Sequence, residues 1–204
     1  MQRLVRLILF AALGAVPPIA GLLIGWWGTF AVLPERGVAV AALLGLAAGL
    51  ILDALLLRRA VHRALSSPLW MWAALYLFYA VGLFGVFMAV PVFIVLLGIP
   101  AGMAFAGRLA AAGTSPSELR RSSLRASAFT TGVLVVACAA SAALALSDPY
   151  TAGNLEGMLG LPFEVTPAMI VALILVGGAG LLVTQWILTW AAVRWTYARL
   201  VRAT

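Results

Sequence analysis

The chain has 204 residues, of which 65% are hydrophobic and only 9% charged, with a mean hydropathy of +1.13. A water-soluble domain carries roughly 25% charged residues, so this composition excludes a soluble fold able to cover its own surface. The net charge of +7 comes wholly from arginine, placed mostly at the ends of apolar runs; that pattern orients membrane spans and sets nucleic acid aside as a partner.

The composition and run lengths predict an all-α, polytopic transmembrane helix bundle occupying residues 1–204 as one membrane domain. About 20 helical residues cross roughly 30 Å of hydrocarbon, and about six runs meet that requirement. The first covers approximately 7–30. Arg3 and Arg6 before an apolar stretch imitate a secretory signal, but the stretch continues past Pro17-Pro18 to Leu33. Leu13 also occupies the position before Ala15 where a cleavage site needs a small residue, so an uncleaved span is expected. Pro17 and Pro18 near mid-membrane release backbone carbonyls that neighbours must satisfy. They make this span either a pathway element or a static kink in a packed bundle.

The second run, 38–57, holds Asp53, the one acidic residue inside an expected span. A carboxylate in hydrocarbon is a functional candidate by default. Gly45 and Gly49 precede it at four-residue steps, so the three share a helix face suited to close packing. Asp53 also stands five residues before Arg58, and reaching headgroups or pairing with an arginine would explain it equally well.

Residues 69–107 contain no charge. A single helix of that length would reach nearly 60 Å, about twice the hydrocarbon thickness. Both flanks are basic, with Arg58, Arg59 and Arg63 before and Arg108, Arg120, Arg121 and Arg125 after, so an even number of crossings is implied. Two spans, 69–88 and 91–107, joined by a reversal at 88–91, satisfy this; a re-entrant pair is the alternative. Tyr76 and Tyr79 lie deep enough to line a cavity or simply to pack. Gly98 and Gly102, with Pro100 between them, mark a second closely packing face.

Ser115-Pro116-Ser117-Glu118 reads as a capping box with proline in the first turn, opening an interfacial helix that leads into a fifth span at 127–147. Thr166-Pro167 repeats that logic before the sixth span, 167–193. Between them, 148–166 carries Asp148, Glu156 and Glu164 without a basic residue and has room for one interfacial turn. In the last span Gln185 is followed by Thr189, Ala192 and Thr196 on one face. Glutamine in hydrocarbon needs a partner; it serves either as glue between helices or as a substrate contact. The tryptophans Trp26, Trp27, Trp70, Trp72, Trp186, Trp190 and Trp195 fall mostly near span ends, as an aromatic belt does.

Counting arginine on the connecting segments places both termini on the cytoplasmic side of the cell membrane. Cys138 is the one cysteine and His62 the one histidine, so no internal disulfide, zinc-hydrolase ligand set or bis-histidine haem is expected. There is no lysine for a phosphate-binding loop, and an aspartyl dyad would leave Asp53 without its second carboxylate. No cofactor, metal or catalytic residue is therefore expected.

An arginine-flanked first helix with Ala11-x-x-x-Ala15, in a chain of about six helices, resembles the substrate-binding subunits of energy-coupling-factor transporters. The resemblance implies a first helix that packs on a partner through small residues. It covers a few residues and a helix count, and does not assign the family. The leading expectation is a non-catalytic membrane-embedded subunit of a larger complex, a transport system above all, partnered by lipid and by other subunits or by itself. The alternative is a self-sufficient transporter or channel using Asp53, Gln185, Thr189, Pro17 and Pro18. A cofactor-free lipid-modifying enzyme is the distant third.

Overall fold

In hydrocarbon an unpaired backbone amide or carbonyl costs several kcal/mol, so an apolar chain satisfies its main chain within helices. The computed structural model describes residues 2–64 and 66–202, and among these there are helices and turns but no strand. The helices are α1 (Gln2–Gly14), α2 (Val16–Thr29), α3 (Glu35–Ala64), α4 (Leu69–Val86), α5 (Val92–Leu96), α6 (Gly98–Ala111), α7 (Pro116–Ser147), α8 (Thr151–Leu159) and α9 (Pro167–Val201). Six stretches are long and apolar enough to cross a membrane: Arg3–Thr29, Glu35–Ala64, Leu69–Val86, Val92–Ala111, Ser117–Ser147 and Pro167–Val201. Their exposed surfaces carry Leu, Ile, Val and Trp side chains throughout, so this is a multi-pass membrane protein whose solvent is lipid.

The chain divides into two compact units, Met1–Ser67 and Pro68–Thr204. In the first, α1 and α2 run almost without interruption and pack along α3. The small residues interlock at four-residue steps in opposite chain directions. A methyl group placed on Gly21 would stand 2.1 Å from the carbonyl oxygen of Gly45, and one on Gly45 would stand 2.0 Å from that of Gly21. Gly25 meets Ala41 in the same way, and Gly49 meets Pro17 and Pro18. These backbones touch because no side chain intervenes, which is how helices gain dispersion energy where lipid tails offer no hydrophobic drive. The paired prolines bend the main chain little. Ala15 stays in right-handed helical geometry, its amide bonds to Ala11 O, and Ile19 N bonds to Ala15 O.

In the second unit α9 is the central element, packed by α6 and α7 along much of its length and by α5. The chain reverses between α4 and α5. The amide of Ala89 reaches back to Phe84 O at 2.8 Å, with Met88 and Ala89 both at positive φ, and the rings of Phe87 and Phe93 stack across the turn at 3.7 Å. Between α5 and α6 the helix slips at Leu97, where Pro100 withholds the amide that would bond Leu96 O. The capping box forms at the start of α7. Ser115 Oγ accepts from the Glu118 amide, and Glu118 Oε2 accepts from the Ser115 amide and hydroxyl.

The helices run past the span ends expected from the sequence. Residues 58–64 continue α3 and residues 194–201 continue α9, so their arginines ride on helix ends. Arginine is a good helix former and basic residues complement the negative end of the helix dipole, so the charge does not break the helix. Likewise α7 is one helix from the capping box to Ser147, and the acidic segment holds the nine-residue α8, closed by Gly160 in the left-handed conformation.

Candidate functional site

The features that distinguish the second unit from plain packing line the facing sides of α7 and α9. Ser123, Ser127 and Thr130 stand at spacings of four and three on α7, and Gln185, Thr189 and Thr196 at four and seven on α9, so each set shares one helix face. All six side chains are buried, Gln185 completely and Thr189 at 1% exposure. They form a polar column about 16 Å long inside an otherwise apolar bundle.

Gln185 Nε2 donates to Tyr76 Oη at 3.1 Å and to Thr189 Oγ1 at 3.4 Å, and Thr189 Oγ1 shares a hydrogen with Thr130 Oγ1 at 3.1 Å. Four helices are therefore joined at this point, because Gly98 of α6 is what leaves space for the amide. A methyl group there would stand 2.6 Å from Thr189 Oγ1 and 2.9 Å from Gln185 Nε2. One turn on, Gly102 admits Ala192 and the Thr189 backbone. Tyr76 is held edge-on to Phe129, with ring centroids 5.7 Å apart. Thr130 also donates to Ser127 O, and Ser123 to Arg120 O.

The column keeps unused capacity. Gln185 Oε1, Ser127 Oγ and Thr196 Oγ1 are buried without a protein hydrogen-bond partner. Both partners of the Gln185 amide are hydroxyls, which donate or accept, so one end of the amide is served and the other is left over. Leaving a buried polar atom unpaired costs roughly 1–3 kcal/mol, and each such atom needs a reason.

Toward the α4–α5 turn the column ends at an apolar layer. Leu134, fully buried, packs with Tyr76, Ala80, Ile94 and Val95, backed by Leu181, Leu182 and Cys138. Past that layer α7 and α9 part, opening a cleft of about 690 Å³. Its walls are Cys138, Ser141 and Ala145 of α7 and Ile174, Gly177 and Gly178 of α9. The turn at Met88–Val92 and the helix α8 close its ends. Gly178 meets no other atom within 4 Å where a side chain would project, in contrast to Gly98 and Gly102. Asp148, Thr151 and Asn154 supply the polar rim, which includes no basic residue.

Among the sequence candidates, Gln185 and Thr189 are brought together in this column, and Gly98 and Gly102 flank it. In the first unit Gly45 and Gly49 pack on α2. Asp53 is half-buried and faces the end of α1; a methyl group on Gly14 would stand 3.2 Å from Asp53 Oδ2. Pro17 and Pro18 cannot donate to the carbonyls of Leu13 and Gly14, so the carboxylate lies beside the junction of α1 and α2, where the helix ladder lacks two donors. Sequence reasoning placed Tyr76 deep in its span but missed its pairing with Gln185, and missed Thr130 and Ser127 altogether. The available signal was the repeat of small hydroxyl residues on one face of an apolar helix, overlooked because serine and threonine are common near span ends. Among the described residues no three His, Cys, Asp or Glu side chains are placed to share a metal ion.

No protein-family model, curated protein or solved structure matches this chain.

Proposed function

We propose that the chain is a non-catalytic, membrane-embedded component of a transport system, resident in the cell membrane with both termini cytoplasmic. In this reading it takes an amphiphilic molecule into the cleft between α7 and α9. One observation carries the proposal: two helices that pack tightly around Gln185 separate into an apolar cleft of about 690 Å³, with Gly178 bare on one wall. That volume lies within the range of small-molecule sites, roughly 300–1,000 Å³, and the lining is mainly apolar with a few polar groups at the edge. A molecule with an aliphatic tail and a neutral or cationic head fits, because Asp148 is the one charged group on the rim. The polar column continues beyond the apolar layer along the same two helices, which supports a carrier over a scaffold. The glycine faces support the same choice, since Gly45, Gly49, Gly98 and Gly102 are all covered by the chain's own helices.

The test is photolabelling of the purified full chain with a diazirine-bearing hexadecylamine, compared with the matching hexadecanoic acid. Label concentrated at Ser141, Ala145 and Gly178, lowered severalfold by Gly178→Leu and stronger for the amine, is the expected result. Label spread evenly over outward residues such as Leu43 and Val176 overturns the proposal.

A further inference from the structure

A second groove in the same unit opens near the arginine-rich end of α7 and α9. It has a volume of about 670 Å³ and is lined by Arg120 and Leu124 of α7 and by Trp186, Ile187, Trp190 and Arg194 of α9. Arginine thus stands on both helices at one end of the groove, while the remaining wall is aliphatic and aromatic. The eight helical steps from Trp186 to Arg194 span about 12 Å, so the apolar wall runs several methylene groups deep from the charged end. The Arg194 guanidinium lies 4.7 Å over the Trp190 ring, which holds the cation in place while leaving its N–H edge available. Glu118, the acidic residue nearest in sequence to Arg120, is engaged by the Ser115 amide and hydroxyl in the capping box.

We infer that this groove is a binding site for one anionic phospholipid, its phosphate held between Arg120 and Arg194 and an acyl chain laid along Leu124, Ile187 and the two tryptophans. Paired guanidinium groups match phosphate oxygens in geometry as well as charge, and Trp belongs at the level of lipid headgroups. A zwitterionic lipid offers the same tail but no net charge. A soluble phosphate offers the charge but no tail. The site is thereby selective on two counts, and it is independent of the cleft described above.

Native mass spectrometry of the full chain tests this in micelles containing equal dioleoylphosphatidylglycerol and dioleoylphosphatidylcholine. The expected result is one retained phosphatidylglycerol, not displaced by excess glycerol 1-phosphate. Anionic surfaces attract each basic residue by about fivefold in affinity, so Arg120→Gln with Arg194→Gln should weaken retention roughly thirtyfold. Arg3→Gln with Arg6→Gln, neither of which lines the groove, should not. Leu124→Trp keeps both charges and fills the groove, and it too should lose the lipid; it decides the question if the double arginine variant does not fold. Equal retention of the two lipids, undiminished retention in Leu124→Trp, or full displacement by glycerol 1-phosphate overturns the inference.

Discussion

Gly98 and Thr189 approach so closely that a single methyl group on the glycine would stand 2.6 Å from the threonine hydroxyl. That hydroxyl cannot simply move aside, because it is held by Thr130 and Gln185. Gly98→Ala is therefore expected to lower stability by about 1–3 kcal/mol, the usual range for overpacking. Gly82→Ala, on α4 with no atom within 4 Å, should be neutral or slightly stabilising. Thermal unfolding of the detergent-solubilised pair measures the difference.

The unused polar capacity around Gln185 leads to a second expectation. Tyr76→Phe removes one partner of the amide and should cost about 0.6–1.7 kcal/mol, the measured scale of interhelical hydrogen bonds in membranes. Adding Gln185→Leu removes the buried amide as well, and the double variant should recover stability to the wild-type level or above it. Loss of amphiphile labelling in that stable double variant would tie the column to the cleft. A double variant less stable than Tyr76→Phe alone would show that the amide is structural glue.

Within the first unit the contact of Gly21 with Gly45 sets a sharper constraint. Any side chain at Gly45 meets backbone at 2.0 Å and must push the two helices apart. Gly45→Leu is expected to cost several kcal/mol, beyond the usual 1–3 kcal/mol for overpacking, because neither partner has a rotamer to change. Asp53→Asn preserves shape and packing beside Gly14 and should stay within about 0.5 kcal/mol of wild type, as substitutions away from tight packing do. Yield and melting temperature of the two variants report this contrast. A tolerated Gly45→Leu would contradict the packing described.

Orientation is tested by accessibility. In a chain with Cys138 replaced, cysteines at Ser66 and Ser117 should be shielded from an impermeant thiol reagent added outside intact cells, while one at Asn154 should react. Labelling at position 117 from outside would overturn the proposed topology.

The spans were legible because a run of about 20 apolar residues has few other uses, and the Gln185–Thr189–Thr196 face because helical periodicity places those positions together. Capping chemistry at Ser115 and Glu118 is local and was equally readable. Tyr76 was not identifiable as the partner of Gln185, since the two lie 109 positions apart and only tertiary packing joins them. The cleft was invisible for a related reason: Gly98 and Gly178 look alike in sequence, yet one is closely packed and the other faces open space. Nor could hydropathy say where helices stop, because Arg58, Arg63 and Arg199 are polar without being helix breakers.

That last point has a thermodynamic consequence. At 30, 32 and 35 residues, α3, α7 and α9 are about 45–52 Å long, well beyond roughly 30 Å of hydrocarbon. The excess is where Arg58, Arg59, Arg120, Arg121, Arg194 and Arg199 are mounted, at graded heights along rigid rods. A disordered polybasic tail must surrender about 1–2 kcal/mol of backbone freedom for each residue it lays on a charged surface. Here the backbone is already ordered by folding, so an arginine meeting an anionic headgroup gives up little beyond its side-chain rotamers.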